Sequence, residues 1–108
     1  MKILLVKLSS LGDVVHALPV VHDILAALPD AQIDWVVEKS FAAIVALHPG
    51  VRRIIPCEIR RWRKSPLSAV TRQQWNAFKA DLRQSDYDAV IDLQGLTKSA
   101  VVARLARL

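Results

Sequence analysis

The stretch Lys2-Ile3-Leu4-Leu5-Val6-Lys7-Leu8-Ser9-Ser10-Leu11-Gly12-Asp13 decides the fold. Its apolar run is too short for a helix of ordinary length. It is followed at once by the turn formers Ser9, Ser10 and Gly12, so residues 2–8 read as a buried strand. Downstream, Val14, Val15, Leu18, Val21, Leu25 and Leu28 recur in steps that gather on one face of a helix over residues 12–28. Pro19 interrupts that helix. The pattern predicts a kink there, the alternative being an irregular first turn from which Pro19 restarts the helix.

The same alternation continues along the chain. Ile33 to Val37 reads as a second strand, and Ser40 is placed to cap a short helix ending at Ala46. His48-Pro49-Gly50 is a turn. Val51 to Ile55 reads as a third strand, stopped by Pro56, and an irregular basic stretch follows from Glu58 to Pro66. Ser68 to Arg83 reads as a helix with Val70, Trp75, Phe78 and Leu82 facing inward. Tyr87 to Leu93 is a fourth strand, and Gly95 opens a last helix to Leu108. Strands alternating with helices predict an α/β fold, a Rossmann-like parallel sheet with helices on both faces. The last helix carries an apolar face with nothing after it to cover, so the 108 residues read as the amino-terminal part of something longer.

Composition narrows the function. A chain 53% hydrophobic and 23% charged is globular, neither disordered nor collagen-like. The longest stretch without a full charge, Val14 to His22, is too short to span a bilayer, so a soluble or peripheral protein is expected. Cys57 is the one cysteine, and His16, His22 and His48 show no zinc-ligand spacing with it. The glycines Gly12, Gly50 and Gly95 form neither a G-x-G-x-x-G fingerprint nor a Walker A loop. Residues 1–50 carry a net charge of −2 and residues 51–108 one of +7, which predicts an anionic partner for the second half.

In an open parallel sheet, ligands bind beyond the carboxyl ends of the strands, where strand order reverses. The loops that reach this edge carry Lys7, Ser9, Ser10, Gly12 and Asp13, then Arg60, Arg61, Arg63 and Lys64, then Gln94, Gly95, Thr97 and Lys98. The opposite edge looks poorer in unusual chemistry. Asp13 has two readings, a carboxylate capping the first helix or a general base held at the ligand edge. The Arg60-Arg61-Trp62-Arg63-Lys64 segment also has two. It is a solvated loop, or a set of donors converging on phosphate, with Trp62 stacking under a guanidinium or dipping into an interface. Lys98, near a helix amino terminus, suits a bound phosphate or carboxylate.

Lys7-Leu8-Ser9-Ser10-Leu11-Gly12-Asp13-Val14-Val15-His16-Ala17-Leu18-Pro19 resembles the opening of the bacterial lipopolysaccharide heptosyltransferases. Asp34-Trp35-Val36-Val37-Glu38, Ile59-Arg60-Arg61-Trp62-Arg63-Lys64 and Tyr87-Asp88-Ala89-Val90-Ile91-Asp92-Leu93-Gln94-Gly95-Leu96-Thr97-Lys98-Ser99 resemble the heptosyltransferase I branch. The resemblance implies a GT-B glycosyltransferase, in which residues 1–108 are the amino-terminal acceptor-binding domain and the donor-binding domain is absent. It implies inverting transfer of heptose from ADP-heptose to Kdo2-lipid A, with no cofactor and no essential metal. By matching motif, Asp13 is the base. Lys7, Ser10, Gly12, Arg60, Arg61, Arg63, Lys64, Gln94 and Lys98 surround the acidic acceptor. The implied location is cytoplasmic, peripheral on the inner face of the inner membrane and in contact with anionic lipid. The piece alone is expected to be inactive. The competing reading from composition is a small basic module, with pI ≈ 9.9, that binds anions or nucleic acid without catalysis.

Overall fold

The computed structural model describes residues 1–94. Its elements run β1 (Lys2–Val6), α1 (Leu11–Ala27), β2 (Gln32–Glu38), a 3-10 turn (Lys39–Phe41), α2 (Ala42–Val45), β3 (Val51–Cys57), α3 (Ile59–Lys64), α4 (Ala69–Leu82) and β4 (Ala89–Asp92). The four strands form one parallel sheet in the order β3-β2-β1-β4. The last helix expected from the sequence, with Gly95, Thr97 and Lys98, lies outside the described residues.

Successive side chains on a strand point to opposite faces, and here each face has its own core. Ile3, Leu5, Ile33, Trp35 and Val37 pack with Val14, Ala17 and Val21 of α1 and Val45 of α2. Leu4, Val6, Val36, Ile55 and Cys57 pack with Ile59 and Trp62 of α3, Phe78 and Leu82 of α4, and Tyr87. A sheet covered on both sides explains why its strands read as continuous apolar runs rather than alternating ones.

Four expectations need correction. Helix α1 runs unbroken through Pro19, so the helix does not restart there. Pro19 and Val15, whose carbonyl loses its usual donor, both face solvent, so the unpaired group is not sealed in the core. Pro56 does not stop β3. It sits within the strand opposite Val37, and β3 has only β2 beside it among the described strands, an edge position of the kind that tolerates proline. Ser40 caps nothing, because it lies inside the 3-10 turn that precedes α2. Val70 is half exposed, and Thr71 takes the inward position instead.

The His48–Gly50 turn presses on α1. A Cβ on Gly50 would stand 2.6 Å from Leu25 Cδ1, which makes glycine the residue that fits.

Candidate functional site

The strand order reverses between β1 and β4, and the backbone there is bound tightly. The Lys7 carbonyl accepts from Trp35 Nε1 at 3.0 Å, and the Leu8 carbonyl accepts from the Glu38 N–H at 3.0 Å. Gln94 reaches back from the end of β4. Its Oε1 accepts from the N–H groups of Leu8 and Ser9, at 3.1 and 3.4 Å. Lys7 donates its ammonium to the Leu93 carbonyl at 3.2 Å, so this lysine braces the two strand ends as well as bringing charge to them. The Ser9–Ser10 peptide is cis.

Ser10 is the N-cap of α1 and Asp13 its third residue, the arrangement of a capping box. Asp13 Oδ2 accepts from the Ser10 N–H at 3.4 Å, a long bond, and the side chain is exposed. Asp13 therefore does cap the helix, as position alone suggests. Among the described residues its carboxylate makes no other hydrogen bond or ion pair, and one oxygen stays open to solvent. Gly12 beside it has nothing within 4 Å of where a Cβ would stand. Packing among the described residues gives no reason for a glycine there.

The basic segment is not an irregular loop. Residues 59–64 form α3, anchored by the buried pair Ile59 and Trp62 one helical turn apart. Arg60, Arg61, Arg63 and Lys64 are left on the exposed arc. Trp62 is buried, and among the described residues it stacks under no guanidinium. Its ring packs edge-on against Trp75 and tilted against Phe78, and its Nε1 donates to Gln74 Oε1 at 2.9 Å. At the other end of the helix, Glu38 Oε1 accepts from the Arg60 N–H at 3.2 Å. Glu58 pairs with Arg61 at 3.1 Å and with Lys39 at 3.6 Å. Arg63, Lys64 and the Arg60 guanidinium make no ion pair among the described residues. Three of the four cations fall in the last turn, where the helix dipole favours positive charge.

The structure thus joins Gln94, Leu8, Ser9, Glu38 and Arg60 in one hydrogen-bonded row along the carboxyl ends of the strands. Asp13 shares that edge, but no hydrogen bond or ion pair among the described residues links it to α3. Lys98 lies outside the described residues. Glu38, Lys39 and Glu58 escaped the sequence reading, because a carboxylate that orients a neighbouring helix leaves no local pattern.

The opposite edge is richer than expected. The carboxylate of Asp34, fully buried, receives Arg52 in a two-point contact, Nε to Oδ1 at 2.9 Å and Nη2 to Oδ2 at 2.7 Å. Arg53 Nε stands 3.5 Å from Oδ2, charge-paired though too poorly aligned to hydrogen-bond, and the Tyr87 hydroxyl donates to the same oxygen. A register shift makes this possible. Ile33 pairs with Val51 and Asp34 with Arg53, so Arg52 is the extra residue of a bulge and both guanidiniums reach one carboxylate. Burial pushes the Asp34 carboxyl up, but the Arg52 and Tyr87 hydrogen bonds and the two positive charges outweigh it, leaving the group below its ordinary range. Burial, and then the hydrogen bond to Asp34, push the Tyr87 hydroxyl up. This cluster holds the sheet together far from the switch point. Among the described residues no group of three His, Cys, Asp or Glu side chains is placed to hold a metal ion.

A parallel α/β domain with an open carboxylate at the strand-order switch and cations along the same carboxyl edge is built to meet a ligand there. Residues 75–107 match the family described as glycosyltransferase family 9 (heptosyltransferase). More particularly, the chain is similar to lipopolysaccharide heptosyltransferase 1. It is 54% identical to that of Pseudomonas aeruginosa over 104 residues, 96% of this chain and 29% of the relative. With the Escherichia coli protein it shares 51% identity over 107 residues, 98% of this chain and 34% of the relative. The solved Escherichia coli heptosyltransferase WaaC with ADP superposes with a TM-score of 0.94 at 51% identity, over 99% of this chain and 34% of that one. The family 9 glycosyltransferase of Veillonella parvula, 19% identical with a TM-score of 0.76 over 96% of this chain and 29% of that one, shares the fold. The chain spans about a third of the length of these relatives.

Proposed function

We propose that the protein to which this chain belongs is a lipopolysaccharide heptosyltransferase. It moves heptose from ADP-heptose onto Kdo2-lipid A, and residues 1–108 form its acceptor side. The observation that carries the reading is the open Asp13 carboxylate on the strand edge that also presents Arg60, Arg63 and Lys64 without ion-pair partners among the described residues. The solved Escherichia coli heptosyltransferase WaaC with ADP-2-deoxy-2-fluoro heptose, 50% identical with a TM-score of 0.94, supports the donor.

In this reading the α3 cations neutralise the phosphates and carboxylates of the acceptor, and the bare surface at Gly12 lets the sugar approach α1. Asp13 takes the proton from the attacking acceptor hydroxyl. That oxygen bonds to the anomeric carbon from the face opposite the leaving group, the bond to the phosphate oxygen breaks, and ADP leaves with the electron pair. The configuration inverts. General-base assistance of this kind is worth about 10²–10⁴ in rate. ADP-heptose binds outside the described residues, and the enzyme works peripherally on the cytoplasmic face of the inner membrane. The test is to give the full-length protein ADP-heptose and Kdo2-lipid A. Acceptor-dependent release of ADP together with a heptosylated lipid is expected, and neither product appearing overturns the reading.

A further inference from the structure

Between Ile59 and Ala80 the chain has six lysines and arginines and no carboxylate. At the centre of this span, the turn from α3 into α4 exposes Pro66, Leu67, Ala69 and Val70 in near succession. Leu67 is 89% exposed, the most exposed large apolar residue among those described, and Val70 is 50% exposed. Neither serves the core. The inward row of α4 is Thr71, Trp75, Phe78 and Leu82, and Val70 falls outside it. The turn is nevertheless built firmly. Ser68 N–H donates to the Ser65 carbonyl at 3.2 Å, and the Ser68 hydroxyl caps α4 by accepting from the Thr71 N–H at 3.5 Å. Trp62 clamps α3 behind it. Arg63 and Lys64 precede the apolar tip, Arg72 follows it, and all three are exposed.

A hydrogen-bonded apolar turn flanked by cations that make no ion pair among the described residues matches one kind of surface, an acyl layer under anionic headgroups. We infer that the α3–α4 turn docks on an anionic phospholipid bilayer, with Leu67 and Val70 entering the acyl boundary while Arg63, Lys64 and Arg72 meet headgroup phosphates. This deepens the proposed glycolipid acceptor reading and rests on it, since a lipid-linked acceptor is presented from such a surface. The distinctive claim is that the turn binds the bilayer itself, without the acceptor.

The test uses the full-length protein and vesicles of phosphatidylethanolamine and phosphatidylglycerol that contain no acceptor. The Leu67→Ser/Val70→Ser double variant removes only exposed apolar surface. It is expected to bind these vesicles about tenfold more weakly than the parent, while transferring heptose normally to acceptor dispersed in detergent. In a separate variant, Leu67→Trp, emission of the new indole is expected to shift to the blue on adding anionic vesicles and not on adding phosphatidylcholine vesicles. Unchanged sedimentation of the double variant, or an unshifted indole, overturns the inference. So does loss of transfer in detergent, which would assign the turn to the acceptor or to a protein partner. Failure of the parent to transfer heptose at all would sink the enzymatic reading instead, and vesicle binding reports separately from it.

Discussion

The carboxylate of Glu38, the last residue of β2, accepts the backbone N–H of Arg60 at 3.2 Å and so fixes the cationic helix α3 to the end of the sheet. The position of four positive side chains thus depends on one buried acid that need not touch a ligand. Glu38→Ala is expected to raise the acceptor KM several-fold and to cost about 1–3 kcal/mol of stability, because it leaves a partly buried N–H unpaired. Glu38→Gln keeps an acceptor oxygen and should lose much less of both. Steady-state kinetics and thermal unfolding of the two variants check this.

Gly12 separates ligand contact from protein packing. Since a Cβ there meets nothing, Gly12→Ala is expected to leave the melting temperature unchanged or raise it, with about 0.5–1 kcal/mol gained in a helix. The acceptor KM should rise. An unchanged KM would mean that the acceptor does not approach this turn.

The Asp34 cluster sets the acid limb of stability. A carboxyl lowered on folding contributes stability above its unfolded value, near 3.8, and that contribution drains away as pH falls through the folded value. Urea unfolding should therefore show stability falling from about pH 4 downward. Asp34→Asn should flatten that limb and cost about 2–4 kcal/mol at neutral pH. Arg52 keeps 36% of its side chain in water, which holds the loss below that of a sealed pair. Tyr87 acts at the other extreme. Its raised hydroxyl is neutral in the folded state, so stability should decline above about pH 10, and less so in Tyr87→Phe.

Trp62 converts core packing into site geometry. Trp62→Ala should cost about 3–5 kcal/mol by emptying the contact with Trp75 and Phe78. Trp62→Phe, which keeps an aromatic ring but loses the bond to Gln74, should cost less and preserve α3. Differential scanning of both variants separates the two effects.

Most of the framework was legible from period and punctuation. Ile3 to Val6 and Ile33 to Val37 are strands because both of their faces are covered, and α1 follows from its apolar steps. The edge at which to look for a site follows from strand polarity alone. What stayed hidden depended on tertiary contacts. The sequence 59–64 reads as an irregular charged stretch because only Ile59 and Trp62 mark its buried side, too few for a periodic signal. Pro56 reads as a strand stop unless its place at a sheet edge is known. The pairing of Arg52 and Arg53 with one aspartate depends on a bulge, which no local residue announces.

The central claim is that Asp13 on α1 and the cations on α3 serve a single acceptor at the carboxyl ends of the strands. Its most direct test is heptose transfer to Kdo2-lipid A by full-length Asp13→Asn. Asparagine keeps an oxygen for the Ser10 N–H but cannot take a proton. The expected result is unchanged stability and acceptor binding with kcat lowered about 10²–10⁴-fold. Transfer at the rate of the unaltered protein would contradict it.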